Sequence, residues 1–173
     1  MFIRLVSVFI FIVTTVAPLS VYAKELNNDE KYLSINISPV CNNEGQFKIV
    51  FTNVSSGKIY IEKWMVDPEL FEPVETGLLL FDSANKVGVE LSSTKMFKHT
   101  SDFAVLTSGE SVEHIVNVNN HLDGIYLDRT LTYEVGYDVG SDIILEDGRK
   151  IAVRLNTWLS QKSLVIEPSC WVQ

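Results

Sequence analysis

The sequence predicts an all-β domain, an antiparallel sandwich of about eight or nine short strands. Three observations predict it. Apolar residues recur with period two along most of the chain, as in "YLSINISPV", where Leu33, Ile35 and Ile37 face one way and Ser34, Asn36 and Ser38 the other. Turn signals such as Ser55-Ser56-Gly57, Ala84-Asn85 and Asp147-Gly148 separate these runs. No stretch carries a helical stripe of useful length. Alternation is the pattern of a strand with one buried and one wet face. Many short strands with turns between them give a sandwich. A closed barrel is the alternative, but the irregular connection from Met65 to Thr76 suits a crossing between sheets better.

The chain opens on "MFIRLVSVFIFIVTTVAPLSVYA", with one charge, Arg4, before an apolar run and small residues at Val21 and Ala23. This is the pattern of a secretory signal peptide, residues 1–23, cleaved after Ala23. The run from Leu5 to Ala17 is shorter than the ~20 residues a spanning helix needs. With no Cys near the cleavage site, no lipid anchor is expected, so cleavage leaves no membrane anchor. A polar, flexible leader, 24–31, then precedes a single domain, 32–173. The whole chain carries a net charge of −8. Loss of Arg4 would make it −9. An acidic surface disfavours nucleic acid and anionic membrane as partners and is compatible with a basic protein.

The strands follow in order. "YLSINISPV" and "GQFKIVFTNV" alternate, the second through Phe47, Ile49 and Phe51. A turn at Ser55-Ser56-Gly57 leads to "KIYIEKW", read as the second arm of a hairpin. "PELFEPVE" is a loop with Pro68 and Pro73. "GLLLFDS" and "KVGVEL" bracket a turn. "SVEHIVNV" sets Val112, His114, Val116 and Val118 against Glu113, Ile115 and Asn117. "TLTYEVGYDV" puts Leu131, Tyr133, Val135 and Tyr137 on one face. "IILE" and "KIAVRL" flank Asp147-Gly148, and "SLVIE" is the last strand.

Cys41 and Cys170 are the two cysteines. In an exported protein an even count reads as one disulfide. The rival, a two-thiol metal site, lacks Cys or His within several residues of either. The most enzyme-like stretch is "SDFAVLTSGESVEHIV". Gly109 and Ser111 supply half of a G-x-S-x-G nucleophile elbow, but Glu113 replaces the second glycine and a strand follows where the elbow needs a helix. The stretch reads instead as a turn between two apolar runs, with Gly109 for permissive dihedrals and Ser108 and Ser111 for backbone bonds. No catalytic residue, cofactor site or metal site is assigned. His99, His114 and His121 are scattered and show no metal-ligand spacing. Glu72 with Glu75, or Asp142 with Glu146 and Asp147, are weighed as Ca²⁺ ligands and read as solvated loops. Asn36-Ile37-Ser38 and Asn53-Val54-Ser55 match glycosylation acceptors.

Several of these segments, taken together, resemble the propeptide domain of deuterolysin-type (aspzincin, M35-like) zinc metalloendopeptidases in its bacterial version. The matching positions are Asn53 and Ser55, Trp64 with Pro68, the segment Asp102, Phe103, Leu106, Gly109, Glu110, Ser111 and Val112, and the strand Tyr133, Val135, Tyr137. They occur in the family's order over most of the mature chain. Ser108 stands where the family has Pro, Leu122 where Tyr is common, and Leu131 where Gly precedes the tyrosine strand. No peptidase segment with an HExxH helix follows. The resemblance implies an Ig-like sandwich, exported to the periplasm or secreted, that restrains or chaperones a secreted or envelope peptidase without being an enzyme. The alternative is a non-catalytic envelope interaction module for adhesion, assembly or immunity.

The expected partner-binding surface is the loop "WMVDPELFEPVET", Trp64 to Thr76. Met65, Leu70 and Phe71 supply apolar anchors, Asp67, Glu72 and Glu75 supply charge, and the prolines limit entropy lost on binding. The competing role for Trp64 and Phe71 is to plug one end of the sandwich.

Overall fold

A computed structural model of the chain describes residues 29–41, 45–97, 101–124 and 126–171. The signal peptide, the leader up to residue 28 and His99 lie outside the described residues. The fold is an antiparallel β-sandwich, as expected. Ten strands are present among the described residues: β1 (Leu33–Pro39), β2 (Gln46–Asn53), β3 (Ile59–Glu62), β4 (Leu78–Asp82), β5 (Val87–Val89), β6 (Phe103–Leu106), β7 (Ser111–Asn117), β8 (Tyr133–Leu145), β9 (Lys150–Asn156) and β10 (Leu164–Ile166). One sheet has the order β1-β2-β7. The other has the order β5-β4-β8-β3-β6, with β9 and β10 also paired to β8.

The alternation places each strand's apolar set in the space between the sheets. Phe47, Ile49 and Phe51 of β2 are fully buried, as are Leu33 of β1, Ile59 and Ile61 of β3, and Tyr137 and Ile143 of β8. Each such side chain contributes about 1.5–3 kcal/mol on burial. Trp171 closes one end, edge-on to Tyr133 at 6.3 Å, beside the Cys41–Cys170 disulfide. That bond spans 129 residues. In the chain-entropy account a loop of this size is worth about 4–5 kcal/mol.

Three expectations need correction. The segments read as "TLTYEVGYDV" and "IILE" are one strand of 13 residues. It pairs β4 through Tyr133–Tyr137 and β3 through Ile143–Leu145 on one edge, and β10 then β9 on the other. No break separates them, because Gly140, Ser141 and Asp142 continue the ladder with β9. Likewise β2 and β3 are not a hairpin. β2 pairs β1 and β7, whereas β3 pairs β6 and β8. The chain crosses between sheets at Asn53–Lys58, which lets both strands turn their apolar residues into one core. The leader also ends earlier than expected. Asp29–Lys31 forms a 3₁₀ turn, and Glu30 pairs with Lys162 at 2.8 Å.

Candidate functional site

The turn from Thr107 to Glu110 joins β6 in one sheet to β7 in the other. Gly109 has φ +78°, at the position where a type II turn demands positive φ. Glu110 N–H donates to the Thr107 carbonyl at 3.0 Å, and the Glu110 carboxylate accepts from Thr107 N–H and Oγ1 at 2.8 and 2.9 Å. Ser111 is exposed and shares a hydrogen bond with Thr52 Oγ1, opposite it on β2, at 2.8 Å. His114 faces the other way. Its Nε2–H donates to the Met65 carbonyl at 2.8 Å, and burial holds its pKa below the ordinary 6.5. Ser111 and His114 therefore lie on opposite faces of one strand and form no dyad. Ser111→Ala is expected to cost about 1 kcal/mol or less, and a fluorophosphonate probe should leave Ser111 unlabelled. A stoichiometric adduct there would reverse that assignment.

The loop after β3 is a plug. Trp64 and Met65 are buried in a 3₁₀ turn. Phe71, 6 % exposed, stacks on the His114 ring with centroids 3.9 Å apart. Glu72 is fully buried. Its Oε2 accepts from Thr94 Oγ1 at 2.9 Å, and its Oε1 lies 3.6 Å from His121 Nδ1. That same Nδ1–H donates to the Ser92 carbonyl at 3.1 Å. Residues 92–95 are thereby laced onto the loop, with Lys95 Nζ donating to the Glu69 carbonyl at 2.7 Å and Ser93 bonded to Glu75. Of the expected contact residues, Met65, Phe71 and Glu72 are inside, Asp67 and Leu70 are half-buried, and Glu75 is exposed. An apolar anchor must be exposed before binding, so Met65 and Phe71 cannot serve. The loop is drawn in because β3 ends at Glu62 and leaves the core beside Phe51 to be filled by Trp64 and Phe71, 6.4 and 6.2 Å from its ring.

The weighed cation ligands are spread out in the same way. Asp142 pairs with Lys150, Glu146 with Lys58 and Asp147 with Arg149. Among the described residues no three His, Cys, Asp or Glu side chains are grouped to hold a metal. The Asn53 amide is buried within the turns, and the acceptor triplet it begins is closed. Asn36 points outward from β1.

An open groove lies elsewhere, on the outer face of β4 and β8. It is an apolar groove of ≈ 490 Å³ lined by Leu79, Phe81 and Trp158, with Asp82, Ser83, Lys86, Glu134 and Asp138 around it. Leu79 is 42 % exposed. Gly136 makes the groove possible. A Cβ there would sit 2.0 Å from the Trp158 ring, so the indole lies directly on the glycine backbone and meets Phe81 edge-on at 5.5 Å. Trp158 is carried by a rigid turn. Thr157 N–H donates to the Tyr137 carbonyl at 3.0 Å, Gln161 N–H to the Trp158 carbonyl at 3.1 Å, and Tyr137 N–H to Thr157 Oγ1 at 2.9 Å. A rigid aromatic in an open apolar groove suits binding, because little freedom is lost when a ligand arrives.

The carboxylates of the rim are fixed too. Asp82 accepts from Ala84 N–H at 2.9 Å and from Asn85 Nδ2 at 2.7 Å, and the Asn85 side chain leads in holding its pKa below the ordinary value. Arg154 does the same for Asp138 through two bonds of 2.8 and 2.6 Å. Glu134 accepts from Ser163 Oγ at 2.6 Å. The sequence carried a signal for this face. Leu78-Leu79-Leu80 in a strand cannot all point inward, so Leu79 must be outside, and Glu134, Gly136 and Asp138 are the outward positions of "YEVGYD".

No family model matches the chain, and no curated protein matches it. Among solved structures, a Northeast Structural Genomics Consortium target solved by X-ray crystallography is similar over 81 % of this chain and 89 % of its own, at 9 % identity and TM-score 0.39. The putative ApaA protein from Bordetella pertussis is similar over 79 % and 95 %, at 13 % identity and TM-score 0.33. Likenesses at this level carry no conclusion about function.

Proposed function

We propose that the chain is an exported, non-catalytic binding domain that engages a protein partner through the Trp158 groove. The observation that carries this reading is the groove itself: an exposed apolar surface with an immobilised indole on a bare glycine. Patches of this kind mark interaction sites more often than they occur by chance. The disulfide and the leading apolar segment support export. Among the described residues no helix is long and apolar enough to cross a membrane.

The resemblance to aspzincin propeptides supplies the partner class, a secreted metallopeptidase that the domain restrains or chaperones. The test is direct. Residues 24–173 are titrated into a deuterolysin-type zinc endopeptidase cleaving a fluorogenic peptide. Inhibition is expected, and it should weaken at least tenfold for Trp158→Ala, assayed at a temperature where thermal unfolding shows that variant fully folded. Full peptidase activity at tens of micromolar domain would remove the peptidase from the proposal.

A further inference from the structure

We infer that the groove takes an extended peptide segment with a large apolar side chain at its centre and a basic side chain two residues to each side. The inference rests on the groove being the binding surface and adds the chemistry of its occupant. The geometry comes from β8. Glu134, Gly136 and Asp138 point outward in succession; Glu134 and Gly136 pair with Phe81 and Leu79 of β4, and Asp138 N–H donates to the carbonyl of Gly77, just before β4, at 2.9 Å. The apolar part, Leu79 and Phe81 with Trp158 over Gly136, therefore lies between two carboxylate positions. Glu134 and Asp82 stand at one end and Asp138 at the other.

Four residues of strand separate Glu134 from Asp138, about 13 Å at ~3.3 Å per residue. An extended ligand strand has the same rise. Its residues i and i+4 fall opposite the two ends, and i+2 falls over the apolar centre on the same face. Charge decides what i and i+4 are. Asp82 and Glu134 are held by neutral donors, an asparagine amide with backbone N–H groups and a serine hydroxyl. Those bonds orient the carboxylates without cancelling their charge. Asp138 is balanced by Arg154, and Lys86, whose N–H donates to the Asp82 carbonyl at 2.8 Å, brings one positive charge to the end where Asp82 and Glu134 supply two negative ones. The Glu134 and Asp82 end is thus the stronger attractor and Asp138 the weaker one. A lysine or arginine satisfies both, and its methylene stem adds apolar cover over Phe81 or Leu79. The net charge of −8 draws the same class of partner from a distance.

Three blocked nonapeptides test this: Gly-Ser-Lys-Ser-Leu-Ser-Lys-Ser-Gly, the same with both Lys replaced by Glu, and a reordered form with both Lys adjacent to Leu. The mature domain carries three tryptophans, so its indole N–H signals in a ¹H–¹⁵N spectrum are few, and Trp158→Phe identifies the one of interest. The Trp158 signal is expected to shift with the first peptide. Binding should be at least tenfold weaker for the Glu form, several-fold weaker for the reordered form, and weaker at 500 mM than at 50 mM NaCl. Glu134→Gln should remove most of the Lys preference while leaving the Leu-dependent shift. Equal binding of the Lys and Glu forms would overturn the charge assignment and keep the groove. A Trp158 signal unmoved by any peptide at millimolar concentration would overturn both.

Discussion

Replacing Phe71 and Glu72 together with alanine is expected to leave a domain that barely holds its fold. Phe71 is packed between Trp64, Phe51 and the His114 ring. Truncating a buried phenylalanine costs about 3–5 kcal/mol in lost transfer energy and cavity. Removing the Glu72 carboxylate takes the acceptor from Thr94 Oγ1 and leaves His121 facing an empty polar position. Unsatisfied buried groups cost about 1–3 kcal/mol. The pair therefore removes roughly 5 kcal/mol from a domain whose whole stability is of order 5–15 kcal/mol. Thermal unfolding should show a midpoint drop of about 10–20 °C. A drop under ~3 °C would mean that the loop is not a plug. The same result bears on binding. Loss of partner capture in this variant would report unfolding, so it cannot locate a contact surface, whereas a change at the half-exposed Trp158 can.

Asn53→Leu is the second large effect. Asn53 is fully buried and its amide bonds in four directions. Nδ2 donates to the Gly57 and Leu106 carbonyls at 2.8 and 2.9 Å, and Oδ1 accepts from Ser55 N–H and Oγ at 2.9 and 2.7 Å. Its backbone joins the turn before β7, accepting from Gly109 N–H at 2.9 Å and donating to the Glu110 carbonyl at 3.0 Å. One residue thus ties together two of the three points where the described chain changes sheet. A leucine of similar size fills the space and satisfies none of the side-chain partners. The expected cost is about 3–4 kcal/mol, read as a lower urea midpoint at an unchanged slope. Asn53→Asp should cost at least as much, because it keeps the bonds from Ser55 but sets a buried carboxylate oxygen against the Gly57 and Leu106 carbonyls. A neutral Asn53→Leu would show that the turns hold without this amide.

These two clusters show what was legible in the sequence. Strand faces were, because burial and period two are the same statement at Leu33–Ile37, Phe47–Phe51 and Val112–Val118. The disulfide followed from export chemistry and an even count. The Gly109 turn was legible because a glycine with positive φ announces itself by its neighbours. Pairing partners were not. Nothing local tells β3 to join β6 and β8 and leave β2, since both arrangements bury Ile59 and Ile61. The 64–76 loop looked like a docking surface because prolines and carboxylates dominate its composition. Its aromatic residues go inside, and Glu72 is paid for by Thr94 and His121, which lie 22 and 49 positions further along the chain. The groove depends on Trp158 returning to Gly136 across the β8–β9 hairpin, a contact that no local pattern encodes. Leu79 and the outward run Glu134, Gly136, Asp138 were its sequence traces.

The most direct test of the central claim, that the outer face of β4 and β8 is the binding surface, is amide hydrogen exchange on residues 24–173 with and without a saturating deuterolysin-type endopeptidase, the proposed partner. Slowed exchange is predicted at residues 78–83, 134–138 and 157–162, with 64–76 and 92–95 unchanged. Protection centred on 64–76, with the Trp158 turn exchanging as in the free domain, would contradict it.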